Sequence, residues 1–228
     1  MWNLVAGAII AIITSGAVAV LVEYMRTPRL KLSIETPTHE NAPPPQPIRE
    51  MRTVRVWVSN ETLPRWARYW MVRAPALQCR AAITFHHLDG RNVSGRVMDG
   101  RWAGSPEPVA IPVVGPQGEQ FHILDFTRLT LESRIDIHPG QKQLLDIAFR
   151  ADDDPDCYGW NNASYFSNPR WRNPDWRLPQ GRYLLKVIIS SSGRDFIDCF
   201  LLLTDLTRRD FRLESASHSD RAKVLRDR

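Results

Sequence analysis

Only three cysteines occur in the 228 residues, Cys79, Cys157 and Cys199, odd in number and irregularly spaced, which fits a reducing compartment better than a disulfide framework. Lysine is scarce as well: four stand against 26 arginines, so cationic contacts here are mostly planar and bidentate. No G-x-S-x-G, H-E-x-x-H, phosphate-loop or dinucleotide fingerprint is present, and the adjacent His86 and His87 of a strand point to opposite faces and cannot chelate one metal. The chain is therefore read as non-enzymatic, with no cofactor and no metal. A net charge of +5 spread along the sequence is thin support for a nucleic-acid partner. With 24% charged residues and a net charge of +5, the chain is neither wholly disordered nor a multi-span membrane protein.

Charge is absent from Met1 to Val22, and this stretch is long enough to span about 30 Å of hydrocarbon as one helix. The sequence predicts a single transmembrane helix over 1–25. Trp2 and Tyr24 at its ends suit the two headgroup regions, and Arg26 follows directly. A cleaved signal peptide is the competing reading, because Ala17-Val18-Ala19 has a small-x-small pattern; the lack of Lys or Arg before the apolar stretch, and its length, favour a retained anchor. Arg26, Arg29 and Lys31 after the span predict an outside N-terminus and a cytoplasmic body in the cell membrane. The alternative keeps the body extracytoplasmic.

Leu30, Leu32 and Ile34 alternate with polar neighbours as a strand does, and a connector follows in which five prolines fall between Thr36 and Pro47. Residues 26–50 are thus a first strand and a Pro-rich spacer. Alternation resumes at Val54, Val56 and Val58; at Leu77, Cys79, Ala81, Ile83 and Phe85; at Leu145, Ile147 and Phe149; at Tyr183, Leu185, Val187 and Ile189; and from Ile197 to Leu203 and Phe211 to Leu213. Asp89-Gly90 reads as a two-residue hairpin turn returning through Arg91 to Val97. Residues 51–213 are accordingly expected to form an all-β, two-layer sandwich, and the polar residues 214–228 a disordered tail that could touch acidic lipid.

The segments VRVWVSNE, LQCRAAITF, HPGQKQLLDIAF and LPQGRYLLKVII resemble the strand signatures of bacterial immunoglobulin-like modules, including the cell-adhesion-related type. The resemblance covers four segments between Val54 and Ile189 and implies an immunoglobulin-like sandwich that binds or spaces rather than catalyses. The Cys-Trp-Cys spacing of antibody-type domains is missing.

Two segments stand apart from the strand pattern. In Leu63 to Arg73, Trp66 and Trp70 are four residues apart, with Leu63 and Tyr69 beside them and Arg65 and Arg68 opposite on a short helix. Such a helix suits the headgroup region of an anionic leaflet, the alternative being that its rings plug one end of the sandwich. Residues 151–180 form a loop far longer than ordinary connections, carrying Tyr158, Trp160, Trp171 and Trp176 among Arg170, Arg172 and several asparagines. Its rings either stack on one another and on arginine, closing the sandwich as a rigid flap, or present a surface to a protein partner or a glycan. Asp152, Asp154 and Asp156 have the spacing of the first calcium-loop ligands, but Cys157 and Ala163 stand where that loop needs Gly and Glu.

Overall fold

The structure, a computed structural model, describes residues 2–36, 38–41, 50–116, 118–125, 134–151, 154–167, 171–204 and 211–225, with the side chains of 2–10, 38–41, 50, 109, 110, 121, 122 and 124 outside that description. In chain order the elements are α1 (Trp2–Arg26), β1 (Leu30–Ile34), β2 (Thr38–Asn41), β3 (Glu50–Asn60), β4 (Ala76–His86), β5 (Met98–Asp99), β6 (Arg101–Trp102), β7 (Val109–Val114), β8 (Gln120–Asp125) and β9 (Arg134–Ile137). They continue with β10 (Lys142–Ala151), β11 (Cys157–Gly159), β12 (Arg177–Leu178), β13 (Arg182–Ser191), β14 (Arg194–Leu203), β15 (Arg212–Ser215) and α2 (His218–Leu225).

The strands build two antiparallel sheets and a separate hairpin. The first sheet runs β1-β3-β10-β11-β12, with β2 also on β3 and β6 also on β10; the second runs β15-β14-β13-β4-β5, with β9 also on β4; β7 pairs only with β8 among the described residues. Val54, Val56 and Val58 of β3 meet Ile83 and Phe85 of β4 and Leu185, Val187 and Ile189 of β13 in one buried cluster. This is the period-2 pattern at work, because every second side chain of each strand points at the facing layer. Between β5 on one sheet and β6 on the other the chain passes through Gly100, where a Cβ would lie 2.6 Å from that of Ala81. Only glycine lets the backbone through so narrow a gap.

Several expectations are corrected, each by a local backbone event. Leu77 is exposed rather than inward, because the pairing of β4 with β9 shifts between Ala76 and Cys79 and Gln78 takes φ +52. In β10 a bulge between Asp146 and Ala148 puts both Ile147 and Ala148 into the core and sends Phe149 to the outer face. The hairpin after β4 closes at His87 and Arg91 around three residues, not two, with Gly90 at φ +94, and it returns as a single bridge at Asn92 rather than a strand to Val97. Part of the Pro-rich connector is a strand, β2, laid on β3, while its residues 42–49 lie outside the described residues.

The expected disordered tail is also overturned. Residues 212–215 form the edge strand β15, and α2 buries Val224 against Leu184, Cys199 and Ala216 on the outer face of the second sheet. The helix starts where Ser217 Oγ accepts from the Asp220 N–H (3.2 Å) and donates to the Asp220 carboxylate (2.6 Å), a reciprocal cap. Replacing Ser217 by Ala is expected to cost about 1 kcal/mol, read as faster hydrogen exchange of the α2 amides. Hydrogen bonds from Lys223 and Ser217 hold the Asp220 carboxyl below its usual range. Its folded pKa is depressed, so its contribution is present above the ordinary value near ~3.9 and is lost as pH falls through the lower folded value.

For α1, helix formation over 2–26 agrees with the expected 1–25. Among the described residues no helix is long and apolar enough to cross a membrane.

Candidate functional site

The loop of 151–180 folds into a compact flap. Its path is β11, a 3-10 turn at Asn162–Phe166, a second at Pro174–Trp176, and β12, so the flap begins and ends as strands added to the first sheet. Each turn starts on an asparagine: the Asn161 side chain accepts from the Ser164 N–H (3.1 Å), and Asn173 from the Asp175 N–H (3.0 Å). Asn161 and Asn173, two of the asparagines among the loop's rings, thus act as caps.

The rings are likewise turned inward. Trp160 packs edge-on to Phe149 at 5.5 Å and stacks with Trp171 at 6.3 Å, while Tyr158 stacks on Phe149 at 5.8 Å. Trp160, Tyr165 and Trp171 are buried with Met51 and Ala151, and Trp176 belongs to the main core. The flap therefore does two things: Trp160, Tyr165 and Trp171 cover the outer face of the β3–β10 pair at the Met51 end, where the β10 bulge has sent Phe149, while Cys157, Trp176 and Leu178 join the core between the layers. Phe166 remains 59% exposed on it. Gly159 marks the closest approach, since a Cβ there would lie 2.7 Å from Met98 Sδ.

The charged members pair locally. Arg172 Nε donates to Asp154 at 2.6 Å and Arg177 Nε to Asp156 at 2.6 Å, so these two acidic side chains are held in ion pairs along the flap. Arg170, Asp152 and Asp153 lie outside the described residues.

A network that periodicity does not reveal joins flap and sheet. Asp146, 1% exposed, accepts from Arg55 Nε and from Arg101 Nη1, both at 2.8 Å. Arg101, 2% exposed, also donates to the Ser105 carbonyl (2.9 Å) and lies 5.3 Å over the Tyr165 ring, whose hydroxyl donates to Glu107 at 2.9 Å. Burial pushes the Asp146 carboxyl above its ordinary range in spite of both guanidinium groups. The only hint in sequence was an aspartate inside the apolar run Leu144–Phe149.

The Leu63–Arg73 segment lies at the other end of β3. It is two consecutive turns rather than a helix, the Pro64 carbonyl accepting from 67 and 68 and the Ala67 carbonyl from 70 and 71. Leu63 and Ala67 are its buried feet, whereas Trp66 (67%), Tyr69 (88%), Trp70 (86%) and Val72 (72%) point to solvent. Leu63 thus does not share a face with the rings, and the rings plug nothing. Arg68 donates to the Leu63 carbonyl (2.7 Å) and to Thr62 Oγ1, which stiffens the turn from within; Arg65 is exposed.

Both ends of this segment are tied to the residues that leave α1. The Ala74 N–H donates to the Arg26 carbonyl (2.6 Å), and the buried Arg73 donates to that of Thr27 (2.7 Å). Asn60, 1% exposed, accepts from the Arg29 N–H (3.3 Å) and donates to the carbonyls of Ala74 (3.1 Å) and Ile137 (3.0 Å). Tyr24 on α1 accepts from Arg29 Nη2 at 2.7 Å and lies under its guanidinium at 5.1 Å. The Trp2 side chain is outside the description.

The three thiols are buried and unlinked. Burial raises all three, Cys157 to about 12, so none is poised as a nucleophile. Comparisons with protein-family models, with curated proteins and with solved structures found no match to this chain.

Proposed function

We propose that the chain is a non-catalytic, membrane-anchored module of immunoglobulin-like build that holds a protein-binding end clear of the bilayer. The observation that carries the anchor is α1 itself. Residues 11–20 are exposed all round the helix, with Ile12 at 72%, Ile13 at 65% and Val20 at 71%, and a helix apolar on every side is stable only when something apolar surrounds it. The described apolar part of α1 does not by itself reach across a bilayer; the proposed span takes in all of the uncharged sequence of 1–22, which as a helix is about 33 Å long against a bilayer core of about 30 Å. Arg26, Arg29 and Lys31 beyond the apolar stretch favour a cytoplasmic body.

Strand order supports the immunoglobulin-like reading. β1, β3, β6 and β10 lie together as strands A, B, D and E do, with D beside E, and β4, β13 and β14 lie together as C, F and G do. Tyr183 opens β13 and its hydroxyl donates to the Pro179 carbonyl at 2.8 Å, four residues upstream, as the corner tyrosine of strand F does in such domains. The chain departs from them in the edge strand β15 and in Leu185, which stands where antibody domains have the second cysteine.

From Met51, under the flap, to Asn60, beside α1, β3 takes nine residue steps, or about 30 Å. The flap is therefore carried far from the helix exit, and Phe166 is its most exposed ring among the described residues. The inward-turned Trp160, Trp171 and Trp176 weigh against a glycan-stacking role and act instead as the floor beneath the partner surface.

Topology and anchoring are tested together. Because all native thiols are buried, a full-length Gln180→Cys variant reacts at one exposed site. In intact cells a membrane-impermeant maleimide is expected to leave it unlabelled until lysis, and alkaline carbonate is expected to leave the chain in the membrane pellet. Release into the supernatant overturns the anchor; labelling before lysis places the body outside.

A further inference from the structure

We infer that Trp66, Tyr69 and Trp70, with Val72, form a second membrane contact, seated among the headgroups of the leaflet from which α1 emerges and fixing which end of the body faces the bilayer. This rests on the reading of α1 as a membrane anchor. Three aromatic rings and a valine within seven residues, each at least 67% exposed, make an apolar patch that a domain surface in water has no reason to keep. The headgroup region suits it, since an aromatic body enters the apolar boundary while the Trp N–H and Tyr O–H stay among polar partners.

Geometry selects lipid as the occupant. The patch does not hang on a free loop: Leu63 and Ala67 root it in the core, and its far end is bonded to Arg26 and Thr27, the residues at which the apolar helix gives out. Whatever plane the end of α1 occupies, the patch is held beside it. Charge points the same way, because besides the buried Arg73 the two stretches 23–31 and 61–73 carry five cationic residues against two acidic ones, Glu23 and Glu61. An anionic leaflet thus meets guanidinium groups around an aromatic centre. The consequence reaches the other end of the molecule: with the patch in the interface, the β3 direction leads the flap away from the lipid.

The test uses the full chain in vesicles of phosphatidylcholine with one-third phosphatidylglycerol, labelled with an environment-sensitive fluorophore at Tyr69→Cys, at Val18→Cys in α1, or at Gln180→Cys near the flap. Lipids carrying a nitroxide high on the acyl chain are expected to quench the probe at 69 several-fold more than the probe at 180. Adding Trp66→Ser and Trp70→Ser is expected to at least halve quenching at 69, and these solvent-facing substitutions leave the unfolding midpoint in place. If the probe at 18 is quenched by deep nitroxides while the probe at 69 behaves like the one at 180, the anchor stands and the second contact is wrong. If the probe at 18 is not quenched, the anchor reading fails and takes the second contact with it. Cross-linking between copies through position 69 without lipid quenching assigns the patch to a second copy of the chain and overturns the lipid assignment.

Discussion

Replacing Asp146 by Ala is expected to destabilise the fold by about 3–5 kcal/mol, because it strands a buried guanidinium. Arg101 is 2% exposed, and its Nη1 has the Asp146 carboxylate at 2.8 Å; among the described residues its other carboxylate partner, Glu107, is 3.6 Å from Nη2 and 58% exposed. The loss is one of pairing and not of net attraction, since burial raises the Asp146 carboxyl even with two arginines bonded to it. A buried acid whose folded pKa lies above its unfolded value contributes stability that is complete below the unfolded value, near ~3.9, and declines as pH rises through the folded one. Mild acid therefore does not weaken the fold through Asp146, the opposite sign to Asp220. It also follows that replacing Asp146, Arg55 and Arg101 together by apolar residues of similar volume should be far less costly than the single truncation. Urea unfolding of the single and triple variants decides this: a single-variant loss under 1 kcal/mol, or a triple variant worse than the single, refutes the account.

Putting charge into the middle of α1 is the second change with a large expected effect. Ile12→Arg with Ile13→Arg keeps good helix formers at both positions, so the helix itself persists. In a bilayer each central arginine costs about 2.5–3.5 kcal/mol on insertion scales, together enough to turn a stable span into one that is not retained. The doubly substituted chain is expected to leave the carbonate-resistant membrane fraction, whereas Ile12→Leu stays. The body should be indifferent: α1 residues 11–20 are exposed, so the thermal transition of the two sheets in detergent is expected to be unchanged. Membrane retention of the double variant would mean that α1 does not span.

What was legible in the amino-acid order is what repeats. Val54, Val56 and Val58, and Leu185, Val187 and Ile189, were readable as inward-facing because the pleat sends alternate residues to one side, and they are buried. The reading broke where one residue was added to that count. At Gln78 and at Asp146 a register shift reversed the alternation, and nothing in composition distinguishes a bulged strand from a regular one. The helix α2 is not legible in the sequence, because only Val224 of its eight residues is buried, although Ser217 and Asp220 stand at cap spacing.

The candidate sites divide along the same line. The order of residues by itself determined that an uncharged 1–22 stretch precedes a β-rich body, and that two aromatic clusters lie off the strand pattern. Which cluster turns inward was decided by tertiary structure alone. A ring is buried when a sheet face of its own chain is there to receive it; the β10 bulge supplied one to Trp160 and Trp171, while Trp66, Tyr69 and Trp70, rooted on Leu63 and Ala67 beside the end of α1, found none. Exposure depends on distances between segments far apart in the chain, such as Arg101 from Asp146 or Asn60 from Ala74 and Ile137, and no local spacing encodes those.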